Sequence, residues 1–263
     1  MNKVKTLVIR TAGSNCDYET VHAFKHFGSE VDLIHINQIV AKKRTLADYH
    51  ILAIPGGFTY GDDISAGKVL ANELKYKLND QLQPFINDGK LIIGICNGFQ
   101  VLVKAGLLPE VQFDSGDQQV TLTDNDSGKF EDRWIYLKPL SKKCVFTKGM
   151  EEIVYYPVAH AEGKFIPKNN EVLENLQKND QIVFQYVNPE GGQPDYPWNP
   201  NGSVENIAGI CDLTGRIFGL MPHPERYFHP TQHPRWTREG LQDEADGYKI
   251  FQNAVEYIKN NFK

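Results

Sequence analysis

The segment Gly94-Ile95-Cys96-Asn97-Gly98 constrains the fold more than any other part of this chain. The residues that lead into it, Leu91–Ile95, are apolar and rich in β-branched side chains, which predicts a buried strand. Residues 99–105 place apolar side chains at helical spacing, which predicts a helix that Gly106 would end. Because a glycine lies two residues to either side of Cys96, the chain can turn sharply from strand to helix at that point.

Such a turn pushes the side chain of its middle residue outward, beside the N-terminus of a helix. The positive end of the helix dipole favours the thiolate form of a cysteine in that position. Taken alone, an intracellular cysteine is more often a small buried apolar residue. The glycine pattern around Cys96 instead favours a nucleophile.

Short apolar segments alternate with helix-like segments over the first hundred residues. This alternation predicts an α/β fold with a parallel sheet and helices on both of its faces. Reactive groups in such folds lie beyond the carboxyl ends of the strands. Strands are predicted at residues 4–9, 31–36, 51–54 and 91–95. Helices are predicted at residues 17–27 and 69–86, and Asp17 would cap the first of them.

The middle of the chain has strand-like segments separated by turn-forming residues, with no more than a short helical turn near residues 171–175. We therefore predict a three-layer, doubly wound, mostly parallel sheet with an antiparallel β excursion in the middle of the chain, within a single domain spanning residues 1–263. A helix at residues 245–258 would end it. The later strands are predicted at residues 120–123, 134–138, 153–158, 182–187, 207–211 and 217–221.

Charge and cysteine spacing exclude several classes of protein. The net charge of −5 argues against a nucleic-acid or anionic-membrane partner, because such binding depends on clustered lysine and arginine. The four cysteines form no C-x-x-C pair, so neither a zinc site nor a disulfide framework is indicated. With no signal-peptide pattern and no long apolar run, we expect a cytoplasmic protein with reduced thiols.

A cysteine nucleophile needs a base, and the base needs a group that orients it. His223 directly follows a predicted strand and lies between two prolines. Proline restricts the backbone to extended conformations, in which residues two apart point the same way. We therefore expect Glu225 beside His223, and a Cys96–His223–Glu225 triad.

The other histidines carry weaker signals. His22 and His26 lie four residues apart and are expected on a partly solvated helix face, and His35 is expected to be structural. His229 and His233 leave a metal site open as an alternative. They lack a third ligand at fixed spacing, so no metal is predicted.

Acyl transfer also needs donors for the oxyanion. Gly56-Gly57 follows a predicted strand at the same sheet edge, and glycine lets backbone N–H groups approach a ligand closely. The amide of Asn97, directly after the nucleophile, would be the second donor. A plain tight turn or a phosphate loop is the alternative for Gly56-Gly57, but neither of the glycine-rich nucleotide-binding signatures is present.

Five motifs together resemble those of class I (triad) glutamine amidotransferases. Within that class they are similar to the family of free-standing glutaminase subunits of phosphoribosylformylglycinamidine synthase. The motifs follow one another in order over nearly the whole chain: residues 13–17 (GSNCD), 55–62 (PGGFTYGD), 96–100 (CNGFQ), 157–163 (PVAHAEG) and 221–226 (MPHPER).

The resemblance implies a flavodoxin-like amidotransferase fold and a reaction. Cys96 would attack the side-chain amide of glutamine while His223, supported by Glu225, moves the proton. The amides of Gly57 and Asn97 would stabilise the oxyanion, ammonia would leave, and water would hydrolyse the γ-glutamyl thioester.

The resemblance also implies substrate contacts and partners. Gly56, Phe58, Gln100 and His160 are assigned to the glutamine site. This chain would bind no cofactor; ATP and Mg²⁺ would be used by a large synthase subunit, which converts formylglycinamide ribonucleotide to the amidine with the ammonia. A small third subunit would bridge the two.

Three alternatives stay open at this point. The chain could be a glutaminase that serves a different ammonia-using synthetase. It could belong to the wider flavodoxin-like cysteine hydrolases, although these commonly lack the distal His-x-Glu pair. A non-catalytic binding module on the same fold is the third alternative, and it would be expected to have a disabled triad.

Overall fold

The computed structural model describes residues 3–112 and 117–262. Two layers of helices and a central sheet are built from these residues. The strands are β1 (Lys5–Arg10), β2 (Glu30–His35), β3 (Ile51–Ile54), β4 (Leu91–Ile95), β5 (Val120–Thr123), β6 (Glu131–Pro139), β7 (Val154–His160), β8 (Lys164–Pro167), β9 (Ile182–Val187), β10 (Ile207–Cys211) and β11 (Ile217–Leu220). The helices are α1 (Asp17–His26), α2 (Ile36–Val40), α3 (Lys68–Lys77), α4 (Asn79–Asn87), α5 (Asn97–Lys104), α6 (Asn170–Lys178), α7 (Trp236–Glu239) and α8 (Tyr248–Asn261).

The nine-stranded sheet has the order β2-β1-β3-β4-β11-β10-β9-β6-β7. Its first five strands are parallel to one another, and every residue of β3, β4 and β11 is buried. Burial on both faces requires covering helices: α1 packs with α8, and α3 packs with α5. The predicted three-layer, doubly wound sheet is therefore confirmed.

The other four strands, β10, β9, β6 and β7, pair in antiparallel fashion and extend the same sheet. This confirms the predicted antiparallel excursion. The sequence analysis missed one element of this region, β8, and predicted another, α6, as too short. Strand β8 pairs with β5 in a separate two-stranded sheet, and α6 is a nine-residue helix where only a short turn was expected.

Register brings three loops of the parallel half to one edge. Ile54 pairs with Gly94, and Leu220 pairs with Ile95. The loops that begin at residues 55, 96 and 221 therefore leave the sheet side by side, at the carboxyl ends of adjacent strands.

Two predicted helices differ from the structure. The helix predicted at residues 69–86 is two helices, because Leu78 leaves the helical conformation with φ −122° and ψ 5°. Leu74, Leu78 and Leu82, which lie before, at and after the break, are all fully buried. Helix α1 begins at Asp17 itself, with Cys16 as its N-cap; the Asp17 carboxylate instead pairs with Arg10 at 3.1 Å.

The helices are short and amphipathic. Among the described residues, no helix has the length and apolar character that crossing a bilayer requires.

The turn around Cys96 depends on close backbone packing against β3. A Cβ on Gly98 would lie 1.9 Å from the carbonyl oxygen of Ile54, and one on Gly94 would lie 2.5 Å from the carbonyl oxygen of Gly98. Both obstacles are backbone atoms in buried elements, which cannot move aside like a flexible side chain. Glycine at these positions is therefore required for helix α5 to start directly over the sheet.

We expect Gly98→Ala to lower the free energy of unfolding by about 3 kcal/mol, because the added methyl group overlaps a fixed carbonyl. Gly192→Ala is the matched control: its Cβ would meet only the side chain of Asn188, at 3.3 Å, and its φ is not positive. Urea unfolding of both variants measures the difference. Equal stability of the two variants would contradict the packing argument.

Candidate active site

Cys96 lies at the turn between β4 and α5 in a strained conformation, with φ 52° and ψ −107°. A positive φ is uncommon for a residue with a Cβ, and such outliers cluster at functional sites. The side chain is only 4% exposed, and its Sγ lies 3.7 Å from the carbonyl oxygen of Ala159 at the end of β7. The predicted nucleophile elbow is thus present in the backbone geometry.

The side chains of His223 and Glu225 are in contact as predicted, but the backbone conformation that brings them together is not the predicted one. Nδ1 of His223 lies 2.7 Å from Oε1 of Glu225, and both side chains are buried. The segment is not extended: Pro224 begins a 3₁₀ helix, Pro224–Arg226, of which His223 is the N-cap. Proline is compatible with the first position of a helix because no N–H is needed there. The tight turn therefore brings the two side chains together.

The second ring nitrogen of His223, Nε2, is buried and has no hydrogen-bond partner among the described residues. Gly56 lies between this ring and the cysteine: a Cβ there would be 2.7 Å from Cε1 of His223 and 3.4 Å from Cβ of Cys96. With Nδ1 held by Glu225, Nε2 is the nitrogen left to exchange a proton with Cys96.

The electrostatics of His223 favour its protonated form. Burial alone would lower the pKa of His223, but the Glu225 carboxylate and the Cys96 sulfur raise that pKa well above its ordinary value. A protonated imidazole can stabilise a neighbouring thiolate and can then deliver its proton to a leaving group. His223 can therefore supply the positive charge that nucleophilic catalysis by a cysteine needs.

A second thiol, Cys16, lies on the other side of His223 and was not predicted as a site residue. Its Sγ is 3.8 Å from Nδ1 of His223 and accepts a hydrogen bond from Nη2 of Arg226 at 3.1 Å. Burial raises the pKa of the Cys16 thiol, and Cys16 is fully buried in an ordinary helix-cap conformation. Cys16 therefore has neither the strained turn nor the cavity contact that distinguish Cys96.

One predicted oxyanion donor, Gly57, is on the loop after β3, and the other, Asn97, is within the elbow itself. Asn15 donates to the carbonyl of Gly56 at 3.3 Å, and Phe58 donates to the carbonyl of Gly13 at 2.9 Å. Ser14 and Gly57 form an isolated antiparallel bridge between these two hydrogen bonds. The two residues of such a pair do not hydrogen bond to each other, so the N–H of Gly57 points away from the segment that contains Ser14. The N–H of Asn97 is at the first position of α5, where no intrahelical acceptor exists.

The Asn97 side chain joins the elbow to the loop after β3. Its Oδ1 accepts from the hydroxyl of Thr59 at 2.7 Å, and its Nδ2 donates to Asp62 at 3.1 Å and to Oε1 of Gln100 at 2.9 Å. Gln100 in turn donates to the carbonyl oxygen of Glu162 at 2.6 Å. Both the amide oxygen and the amide nitrogen of Gln100 are thus hydrogen bonded within the protein. The predicted contact of Gln100 with glutamine stays a prediction.

A small cavity opens beside the Cys96 side chain, with about 40 Å³ of space for water. That is far below the roughly 300–1,000 Å³ of ordinary small-molecule sites, so a ligand the size of glutamine requires the walls to move. Burial and the neighbouring Glu162 raise the pKa of Asp62, one of the wall carboxyls. The walls are formed by Gly57, Phe58, Asp62, Ala66, Cys96, Gln100, Ala159, His160, Ala161 and Glu162.

Three of the four predicted substrate-binding residues are in these walls: Phe58, Gln100 and His160. The exposure of Phe58 differs from that of His160. Phe58 is 43% exposed, and its ring lies 6.2 Å from that of Phe130 at the surface. His160 is buried, with Nδ1 3.1 Å from Oδ1 of Asn125. Gly56 is not part of the wall, but it lies against both His223 and Cys96.

The remaining histidines do not form the alternative metal site considered from the sequence. His229 pairs with His22 through their Nε2 atoms at 2.8 Å, whereas His233 packs against the rings of Trp134 and Tyr155. In the part of the chain that the structure describes, the one group with metal-compatible spacing is Cys16, His223 and Glu225. In that group, His223 and Glu225 are already hydrogen bonded to each other.

Sequence reasoning placed the elbow, the histidine and its carboxylate, and it missed the residues that tie these parts together. Cys16, Arg226, Asp62 and Glu162 lie within four of the five sequence motifs, so the motifs did mark their segments. The sequence motifs did not indicate a role for these residues, because their contacts join parts of the chain up to 210 positions apart.

Comparison with known proteins identifies the family of this chain. A family of CobB/CobQ-like glutamine amidotransferase domains matches residues 3–258. Phosphoribosylformylglycinamidine synthase subunit PurQ of Dehalococcoides mccartyi is 52% identical over 262 residues, covering 98% of this chain and 99% of the relative. The protein of the same name from Archaeoglobus fulgidus is 46% identical over 270 residues and covers 98% of both chains.

Solved structures show the same relation. A chain in the structure of PurLQS from Thermotoga maritima matches with a TM-score of 0.75 and 32% identity, covering 98% of this chain and 100% of that one. A glutamine amidotransferase from the same organism matches with a TM-score of 0.51 and 16% identity, and the match covers 99% of this chain and 93% of that one. At this identity the match shows only a shared fold. The chain therefore belongs to the CobB/CobQ-like glutamine amidotransferase family, and its resemblance to the glutaminase subunits of phosphoribosylformylglycinamidine synthase is confirmed.

Proposed function

We propose that this chain hydrolyses glutamine to glutamate and ammonia, and that it supplies the ammonia to phosphoribosylformylglycinamidine synthase. The observation that carries the proposal is the strained Cys96 beside a buried His223–Glu225 pair, in a chain 52% identical to a PurQ subunit. These relatives are named as subunits of phosphoribosylformylglycinamidine synthase. That enzyme makes an amidine from an amide and therefore needs a nitrogen donor.

The reaction follows from the positions of the groups. The Cys96 thiolate attacks the side-chain carbonyl carbon of glutamine, and the N–H groups of Gly57 and Asn97 hydrogen bond to the oxygen as it becomes negative. Protonated His223 donates through Nε2 to the nitrogen as the C–N bond breaks, so ammonia leaves and a γ-glutamyl thioester remains. His223 then removes a proton from water, which attacks the thioester and releases glutamate.

Glu225 acts through His223 in both halves of this cycle. Its carboxylate fixes the tautomer and orientation of the ring and stabilises the imidazolium form. We assign Gly56, Phe58, Gln100 and His160 to the glutamine site, with the first and last of them next to the reacting groups. We also propose that residues 1–263 form a single domain, in which the antiparallel strands extend the catalytic sheet.

The proposal includes partners. The Thermotoga maritima structure is of PurLQS, and we propose that this chain likewise assembles with a large synthase subunit, together with a small bridging subunit. ATP and Mg²⁺ are then used by the synthase subunit. The four cysteines are all free thiols, which supports the proposed location in the reducing cytoplasm.

The alternatives are less well supported. A binding module would not need a strained cysteine and an intact acid–base pair, both of which are present. A glutaminase for a different synthetase shares all the site geometry, but the relatives at 46% and 52% identity are PurQ subunits. Purification with the native partner distinguishes these two glutaminase functions.

Cys96→Ala removes the nucleophile, so we expect glutaminase activity of the assembled complex to fall by about a thousandfold or more. Cys144→Ala is the matched control: Cys144 is also a buried free thiol, and it is absent from the cavity wall. Glutamate release is measured for both variants. Full activity of the Cys96 variant would exclude the proposed mechanism.

Glu225→Gln removes the carboxylate that raises the pKa of His223, so that pKa is expected to fall. Protonated His223 then persists only to a lower pH, and the alkaline limb of the kcat/KM profile should move to lower pH. The rate should also fall by about 100-fold or more, since the ring loses its orienting group. An alkaline limb that stays at the wild-type pH would contradict the role of Glu225.

The cavity of about 40 Å³ is too small for glutamine, which predicts a poorly active isolated chain. Adding both partner subunits with their substrates should raise kcat/KM for glutamine by at least about tenfold, if assembly supplies the energy that opens the walls. Steady-state kinetics of the chain alone and in the complex provide the measurement. Equal values would show that the closed cavity does not limit turnover.

A further inference from the structure

His160 is a buried histidine whose hydrogen-bond partner has a fixed orientation. Nδ2 of Asn125 donates to two carbonyl oxygens, those of Lys129 at 2.9 Å and of His160 itself at 2.8 Å. Only a side-chain nitrogen can donate in this way, so the oxygen of Asn125 faces the other direction. That oxygen accepts from the backbone N–H of Gly163 at 3.0 Å.

The same oxygen lies 3.1 Å from Nδ1 of His160. Because an amide oxygen has no hydrogen to give, Nδ1 of His160 must carry the proton of the neutral ring. Nε2 then carries a lone pair and is a hydrogen-bond acceptor. Burial, assisted by the charge of His223, lowers the pKa of His160 to about 3, so the ring stays neutral at any pH near neutrality.

This acceptor has no donor. Nε2 of His160 is buried, and it has no hydrogen-bond partner among the described residues. His160 is also one of the residues that line the cavity beside Cys96. The ring is held against Gly163, where a Cβ would come within 2.3 Å of Cε1. A buried polar atom without a partner is unfavourable, and a ring held on both sides cannot turn to find one. A donor on a bound ligand would satisfy this acceptor.

We propose that Nε2 of His160 accepts a hydrogen bond from the side-chain amide nitrogen of glutamine and keeps that bond as the nitrogen departs as ammonia. This inference rests on the proposed glutaminase function. His160 directly follows Ala159, whose carbonyl oxygen lies 3.7 Å from Sγ of Cys96, so this segment lies at the reacting end of the substrate. The α-ammonium group has more suitable partners in the same wall, the carboxyl groups of Asp62 and Glu162.

The proton balance assigns His160 a purely accepting role. The proton that the leaving nitrogen gains comes from His223, and the electron pair of the broken C–N bond stays on nitrogen, so the product is neutral NH₃. His160 gains and loses no proton. A cationic histidine in its place would repel the proton donor and would have no lone pair to offer. The neutral acceptor therefore orients ammonia without converting it to ammonium, and the nitrogen lone pair remains available for the synthase reaction.

The test compares two substrates that differ only at the leaving group. Glutamine releases ammonia and can donate to His160, whereas the γ-methyl ester of glutamate releases methanol and presents no N–H at that position. In the assembled complex, His160→Phe should reduce kcat/KM for glutamine about tenfold more than for the ester. His160→Gln retains a neutral donor and acceptor and should recover part of that selectivity.

An equal loss for both substrates would overturn the proposal, because it would indicate a structural role or a contact with the α-ammonium group that both share. If His160→Phe does not fold, as judged by its thermal unfolding, His160→Met replaces it, since its thioether is only a weak acceptor. Wild-type complex that hydrolyses neither substrate in a Cys96-dependent manner would instead refute the glutaminase function on which the inference rests.

Discussion

The close approach of the elbow to the sheet is the constraint on which the site depends. Helix α5 begins directly over β3 because Gly98 has no side chain to meet the carbonyl of Ile54. Cys96 must then take a positive φ to join strand to helix. The cost of that conformation is offset by the surrounding core, since every residue of β3, β4 and β11 is buried. The packing that stabilises the sheet thus also holds Cys96 in its strained conformation.

Two histidines with opposite protonation lie near this cysteine. Glu225 raises the pKa of His223, so that ring can carry the proton that the leaving group needs. Burial lowers the pKa of His160, and a neutral amide, Asn125, fixes its tautomer. The difference comes from the partner at Nδ1: a carboxylate stabilises an imidazolium ion, whereas an amide oxygen only holds the neutral ring. One histidine can therefore transfer protons while the other accepts a hydrogen bond.

Local patterns predicted those parts of the fold and the site that local physics determines. Glycine spacing and strand periodicity indicated the elbow, and parallel register then brought residues 55–57 and 221–225 to the same edge. The Glu225–His223 pair was predicted on an extended segment, yet it forms on a 3₁₀ turn, because two prolines are compatible with either backbone. The break at Leu78 was missed, since an amphipathic pattern continues across it.

Contacts between distant segments could not be predicted in this way. The bond from Arg226 to Cys16 and the bonds from Asn125 around His160 depend on how sheet and loops pack, and no spacing in the sequence encodes them. The central claim is that Cys96 forms the covalent intermediate. Rapid acid quench of the complex during glutamine turnover, followed by peptide mass mapping, tests it most directly. The account predicts a glutamyl group on the Cys96 peptide, whereas a glutamyl group on the Cys16 peptide, or turnover with no labelled cysteine, would contradict it.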